Sequence, residues 1–309
     1  MVEAVAQRAP RRRRRAILEQ RRYLAPVLIA PAVLFIVLLV GAPLVLSGYL
    51  SLTDATAGAL HGKFVGLDNF TNEWHDENFR RALRNTIVFT LLANAIVVVV
   101  ASVIAHQLIK DFRGKWFLRF LILLPWAAPV ALSTIGWLWI FDSLFSVINW
   151  VLIHLHLVDQ FNPPQWLGQP NLGLAAITTV HAWRLIPFAT VIMIAGLASI
   201  PREVNDAALV DGATGLRKLW HVTLPLQLPI ALIAVLFGIV FTATDMAVVY
   251  ILTRGGPFNS TQMLPMWAFV TGIQSGELGA GAAVALYLLP VLALVTVLML
   301  VVARRVEVT

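Results

Sequence analysis

The chain has 309 residues, of which 59% are hydrophobic and only 13% are charged. Soluble globular domains carry about 25% charged residues, so this composition excludes a soluble globule and favours a chain embedded in lipid. The sequence contains no cysteine, which excludes disulfides, thiolate metal sites and a catalytic thiol.

The net charge of +7 is concentrated at the N-terminus. Eight of the 23 lysine and arginine residues precede residue 23, including the run from Arg11 to Arg15. Because no aromatic residues are interleaved with this run, nucleic-acid binding is not expected. We interpret residues 1–22 as a basic cytosolic tail that faces anionic membrane lipid.

Six apolar runs are long enough to cross a bilayer, since about 20 apolar residues span the hydrocarbon core. They make residues 23–309 one all-α transmembrane domain. The predicted spans cover residues 24–50, 86–109, 118–141, 173–197, 229–253 and 280–303.

The distribution of basic residues predicts the orientation of these spans. An even number of spans places both termini on one side of the membrane. Seventeen of the 23 lysine and arginine residues then lie on that side, in the tail, the short loops and the C-terminal end. The positive-inside rule therefore predicts that both termini are cytoplasmic.

A polar segment, "DAALVDGATGLRKLWHVTLP" at residues 206–225, interrupts the apolar pattern between spans four and five. It lies in the loop 198–228, although helix connections commonly need only about 2–8 residues. Gly212 is suited to the left-handed backbone that ends one short helix and redirects the next. Thr214 is expected to cap a second short helix, which is predicted to stop before Pro225.

This segment resembles the EAA loop of bacterial ABC importer permeases. The family pattern is E-A-A-x-x-D-G-A, followed after a variable stretch by a hydrophobic residue, x, Leu and Pro. The resemblance implies that the loop is a coupling helix that docks in a cleft of an ATPase subunit. Asp206 stands where the family usually has Glu, and Leu216 lies on the expected docking face of the second short helix. The residues assigned to the loop are Asp206, Ala207, Ala208, Asp211, Gly212, Ala213, Leu216, Leu224 and Pro225.

Three further segments, "FVGLDNF", "WLGQPNLGLAAITTVHAWRLIPF" and "LTRGGPFNST", resemble carbohydrate-importer permeases related to the maltose and glycerol-phosphate systems. The resemblance implies an all-α integral membrane protein with the six-helix ABC type I importer permease fold, located in the bacterial inner membrane. It implies transport of a sugar or sugar-like solute that an external substrate-binding protein delivers. The other implied partners are a second homologous permease subunit, forming a heterodimer, and an ATPase subunit dimer.

No phosphate-loop motif G-x-x-x-x-G-K-[ST] occurs in the chain. We therefore do not expect this chain to hydrolyse ATP, and the resemblance implies that a partner ATPase subunit binds ATP and Mg. We expect no other enzyme activity, cofactor or metal in this chain.

Two charged residues inside predicted spans, Arg184 and Asp245, are candidates to line the substrate path, because charges at membrane depth usually face a polar cavity. Phe188 follows Arg184 by four residues and Phe241 precedes Asp245 by four, so each aromatic ring shares a helix face with a charge. Ligand sites commonly combine such apolar surfaces with a few polar groups, and Asn94 is a further candidate. The alternatives are that Arg184 snorkels to the interface and that Asp245 is a capped structural carboxylate.

Two other functions compete with this interpretation. A stand-alone ion-coupled secondary transporter would place carboxylates at the membrane midplane and contain inverted repeats, whereas this chain has one off-centre Asp and no visible repeat. An intramembrane enzyme is disfavoured because the spans contain neither H-E-x-x-H nor an evident Ser-His-acid motif. We keep the ion-coupled transporter as the alternative function.

Overall fold

The structure is a computed structural model that describes residues 21–307. Within this range the chain divides into two compact units, with the boundary between residues 49 and 50. The predicted basic tail, residues 1–22, falls outside the described residues apart from its last two.

The first unit is built on the N-terminal apolar helix. From Leu24 to Ser51 this helix is 28 residues long, enough to cross a bilayer. Its segments are α1 (Arg21–Ile36), a π-helical turn (Val37–Gly41) and α2 (Ala42–Ser51).

The second unit holds the remaining helices. They are α3 (Asp68–His75), α4 (Glu77–Leu108), α5 (Lys115–Ala127), α6 (Val130–Ile140), α7 (Val147–His154), α8 (Pro170–Ala198), α9 (Arg202–Val210), α10 (Gly215–Lys218), a π-helical turn (Leu219–Thr223), α11 (Leu224–Ala243), α12 (Ala247–Leu252), α13 (Leu264–Phe269), a second π-helical turn (Val270–Gln274) and α14 (Leu278–Glu307).

Among the described residues, five helices are long and apolar enough to cross a membrane, and a sixth span results if the bent pair α5–α6 is counted as one. The two helices of that pair, which cover the predicted span at residues 118–141, meet at 96° and do not form one straight helix. The bend lies at Ala128 and Pro129, which are both extended. The proline ring disfavours the helical conformation of the residue before it, and this explains the break.

The fifth predicted span, residues 229–253, also differs from the structure. The helix begins at Gly215 and runs to Ala243, so the second arm of the polar loop continues into the span and does not stop before Pro225. The Leu224 N–H bonds to the carbonyl of Leu219, five residues earlier. This wider turn directly precedes Pro225, which has no N–H to donate, and the helix continues through it.

Side-chain capping occurs at one of two helix starts and is missing at the other. The second span begins at Glu77, nine residues before its predicted start, because the Asp76 carboxylate accepts the backbone N–H groups of Asn78 (2.7 Å) and Phe79 (3.0 Å). Thr214 stands at the start of α10, but its side chain makes no capping hydrogen bond, so the predicted cap is wrong.

The core of the second unit lies where α4 packs against α8. Small side chains recur in this contact, and they allow the two helix backbones to approach closely. These buried alanines are Ala93, Ala101 and Ala105 of α4 and Ala182 and Ala189 of α8. The helix α11 packs against both partners, so the loop between α8 and α11 is held at one end of this three-helix core.

Candidate functional site

The loop between α8 and α11 is a helical hairpin that turns at a glycine. Gly212 adopts φ +70°, the left-handed conformation predicted from the sequence. Its N–H donates to the carbonyl of Leu209 at 3.1 Å, and the N–H of Ala213 donates to the carbonyl of Ala208 at 2.8 Å. These two bonds form a Schellman motif, which satisfies the last carbonyl groups of α9.

The reason for glycine at this position is the backbone conformation, not a lack of space. No atom lies within 4 Å of the place that a Gly212 Cβ would occupy. A side chain here would therefore meet no neighbour, but an L-residue would be held in an unfavourable conformation.

Apolar side chains project from the hairpin. Four of them, which we call the apolar loop patch, are between 54% and 88% exposed: Leu209, Val210, Leu216 and Trp220. Several large apolar side chains exposed on one short loop are typical of a protein interface. Of the residues matching the EAA pattern, Asp206, Ala207, Asp211 and Pro225 are exposed, whereas Ala208 is buried beneath the turn.

Arg184 of α8 and Asp245 form an ion pair across 61 residues of sequence, with Arg184 Nη2 donating to Asp245 Oδ2 at 2.7 Å. The side chains are 13% and 4% exposed. Asp245 lies in the break between α11 and α12, not within a continuous span, and its Oδ1 accepts the Val248 N–H at 3.0 Å. Both carboxylate oxygens are therefore engaged, so Asp245 positions Arg184 and caps α12 and does not present a free carboxylate.

Two buried residues extend this pair into a network. His181, which is fully buried, places Nδ1 3.1 Å from Asp245 Oδ2 and Nε2 2.9 Å from Thr242 Oγ1. Asn94 donates to the same Thr242 hydroxyl at 3.3 Å, so the Asn94 amide joins α4 to α11 and is itself buried. Within residues 21–307 no group of three or more His, Cys, Asp and Glu side chains is arranged to hold a metal ion.

The two predicted aromatic residues, Phe188 and Phe241, lie together, with ring centroids 5.6 Å apart. Trp126, at the end of α5, stacks on Phe188 at 4.8 Å, and Phe237 lies 5.8 Å from Phe188. We call these four residues the aromatic cluster. Trp126, Phe237 and Phe241 are each more than a third exposed, so the cluster offers open ring surface where α5, α8 and α11 meet.

Several of these residues were not identified from the sequence. His181 carries the clearest signal, since it is a polar residue one helical turn before Arg184 within an apolar span. Phe237 likewise precedes Phe241 by one turn. Trp126 and Thr242 carry no local signal, because only tertiary packing brings them to the cluster and the network.

The chain matches a known family over most of its length. Residues 98–308 match the family described as binding-protein-dependent transport system inner membrane component. The fold is that of an ABC importer permease: a chain in the crystal structure of a bacterial alginate ABC transporter, in complex with alginate pentasaccharide-bound periplasmic protein, superposes with a TM-score of 0.78. The match covers 93% of this chain and 96% of that chain at 17% identity.

Two curated proteins are similar in sequence. The sulfoquinovosyl glycerol transport system permease protein of Agrobacterium fabrum is 32% identical over 85% of each chain. The diacetylchitobiose uptake system permease protein of Streptomyces coelicolor is 32% identical over 85% of this chain and 81% of that protein. These findings confirm the predicted fold and give no support to a stand-alone ion-coupled transporter. The chain belongs to the family of inner membrane components of binding-protein-dependent transport systems.

Proposed function

We propose that this chain is the membrane-spanning subunit of an ATP-driven importer, and that the apolar loop patch is its docking surface for an ATPase subunit. The observation that carries the proposal is the continuity of the helix from Gly215 to Ala243. Leu216 and Trp220 lie at one end of this helix, and Phe237 and Phe241 lie near the other. A movement of the docked patch is therefore transmitted along a single helix to the aromatic cluster.

The length of this connection suits the task. From Trp220 to Phe237 the helix advances by about 25 Å at 1.5 Å per residue. In the proposed complex an ATPase subunit dimer binds ATP and Mg on the cytoplasmic side and changes shape during hydrolysis. The exposed leucine, valine and tryptophan side chains of the patch fit an apolar cleft, because docking removes their apolar surface from water and tryptophan is enriched among the residues that dominate interface energies.

The proposed substrate path passes the aromatic cluster. Sugar rings carry apolar C–H faces that stack on aromatic rings, and their hydroxyl groups need a few polar partners. Phe188 and Phe241 supply ring surface, and Arg184 has further guanidinium donors beyond the one bonded to Asp245. We assign Asp245 and Asn94 to positioning roles within the path, because both are buried and hydrogen-bonded.

The substrate class proposed is a sugar or sugar-like solute. The named relatives transport a sulfoquinovosyl glycerol and a diacetylchitobiose, both of which are glycosides. In this proposal an external binding protein supplies the substrate, and a second homologous permease subunit covers the open rings of the aromatic cluster to complete the path as a heterodimer.

We propose that both termini face the cytoplasm of a bacterial inner membrane. The motive is the excess of lysine and arginine on the side of the termini. Reporter fusions at residues 70 and 160 should be external, and fusions at residues 114 and 212 should be cytosolic. An external C-terminus would contradict this orientation.

The test of the proposed function is reconstitution of the permease pair with its ATPase in proteoliposomes. ATP is supplied on the ATPase side, and the binding protein, loaded with a radiolabelled glycoside, is supplied on the other. We expect uptake that requires both ATP and the binding protein. Uptake driven by a proton or sodium gradient in the absence of ATP would overturn the proposal, as would purification of the chain without any ATPase partner.

A further inference from the structure

A stripe of two arginines followed by apolar residues winds along the outer surface of α4. Its members recur every four residues, so each lies beside the one before it and the row winds gradually around the helix: Arg80, Arg84, Val88, Leu92 and Ile96. All five are exposed. From Arg84 to Leu92 and Ile96 the helix advances by about 12–18 Å.

The stripe borders two adjoining cavities between α4 and α8. The cavity at the arginines has a volume of about 590 Å³. The second cavity, of about 340 Å³, is lined by Leu92, Ile96 and Ala175. Asn171 and Leu174 line both cavities, so together they form one groove with a cationic end and an apolar end.

At the cationic end of the groove, two arginine side chains have no acidic partner in the described part of the chain. Arg81 lies in the same cavity but is engaged, since it donates to Glu77 Oε1 and to the Phe258 carbonyl, each at 2.9 Å. By contrast, the side chains of Arg80 and Arg84 make no hydrogen bond or ion pair with any residue in the described part of the chain. Glu77, already paired with Arg81, is the one acidic side chain at this cavity, so two positive charges face it without a counter-charge.

We propose that this groove binds one anionic phospholipid, with the phosphate between Arg80 and Arg84 and an acyl chain along Leu92 and Ile96. The spacing matches, because half of the hydrocarbon core is about 15 Å thick and a lipid places its phosphate just beyond it. The chemistry matches at both ends, since arginine pairs with phosphate oxygens and the aliphatic side chains contact methylene groups. A free anion would use the first cavity only.

The experiment measures lipid binding to the purified permease complex in detergent. Phosphatidylglycerol and phosphatidylcholine with identical acyl chains compete for the complex, and native mass spectrometry counts the bound lipids. The double variant Arg80→Gln/Arg84→Gln should lose preference for phosphatidylglycerol by roughly 30-fold, about a factor of five for each arginine. Ile96→Trp should reduce retention of phosphatidylglycerol by filling the apolar end of the groove.

Matched controls locate the effect. Arg254→Gln removes an exposed cation that does not line the groove, and Leu91→Trp adds the same bulk on another face of α4, so both should bind lipid as the wild type does. The proposal is overturned if the arginine double variant keeps its lipid preference or if Arg254→Gln loses it equally. Displacement of the lipid by inorganic phosphate alone would reduce the groove to an anion site. A photoreactive residue at position 92 that crosslinks to the second permease subunit would assign the groove to the subunit interface.

Discussion

Removing one charge of the Arg184–Asp245 pair should have unequal consequences. When Arg184 is replaced by Ala, Asp245 keeps its bonds to His181 and to the Val248 N–H. The loss is then one charge-assisted hydrogen bond, about 1.5–3 kcal/mol. When Asp245 is replaced by Ala, the largely buried Arg184 side chain, 13% exposed, loses its partner and α12 loses its cap, which together cost about 3–5 kcal/mol.

Thermal unfolding of the detergent-purified complex should therefore fall in the order wild type, Arg184→Ala, Asp245→Ala. Both variants should still assemble, and uptake should fall for both, because Arg184 lines the proposed path and Asp245 positions it. The double variant should be less destabilised than the sum of the two single variants, since the pair is lost only once. An inverted stability order would refute the assignment of Asp245 as the supporting residue, and normal uptake by both single variants would remove the pair from the path.

Two further predictions follow from the aromatic cluster and from a buried acid. Phe241→Ala should raise the KM for uptake by about 2- to 10-fold, the range expected for one aromatic contact. Phe241→Tyr keeps the ring and should keep the wild-type KM. An unchanged KM in the alanine variant would argue against ring stacking. Burial raises the pKa of the Glu73 carboxyl, opposed by a 2.9 Å hydrogen bond from the Trp267 indole. The stability that protonated Glu73 contributes is present below the unfolded pKa and is lost as the pH rises through the folded pKa. Glu73→Gln should therefore unfold at a higher temperature than wild type at pH 8 and at a similar temperature at pH 4. An equal difference between the two proteins at both pH values would contradict this.

The spans whose ends coincide with local signals were predictable from the sequence. The fourth span, predicted over residues 173–197, is the helix Pro170–Ala198, since Pro170 starts it and Pro201 follows it. The start of α4 was missed because the charged residues after Asp76 suggest a solvated loop, whereas the Asp76 cap continues the helix beyond the apolar run. The 96° bend had a local signal in Pro129, which a count of apolar residues ignores.

The functional residues divide in the same way. Gly212 was predictable, because a glycine between two helix-forming stretches points to a left-handed turn. Arg184 and Asp245 were visible singly as charges in apolar surroundings, but their pairing depends on the approach of α8 to the break after α11. The sequence pattern within each helix does not indicate which other helix it approaches. For the same reason, the contact of Trp126 with Phe188 was not predicted.

The central claim is that the hairpin after α8 couples an ATPase to the path. Gly212→Val tests it, because a β-branched residue at φ +70° costs about 1–3 kcal/mol of backbone strain without touching any neighbour. Asparagine adopts the left-handed conformation more readily than other L-residues, so Gly212→Asn adds a side chain with little backbone strain and is the control for strain. Gly114→Val places the same strain at another left-handed glycine with no neighbour within 4 Å and is the control for location.

The measurement is the amount of ATPase retained on the purified permease pair, together with ATP-dependent uptake in proteoliposomes. We predict that Gly212→Val and Leu216→Asp release the ATPase or hydrolyse ATP without uptake, while Gly212→Asn and Gly114→Val retain both activities. Native retention and native uptake in both Gly212→Val and Leu216→Asp would contradict the claim and reduce the hairpin to a connector.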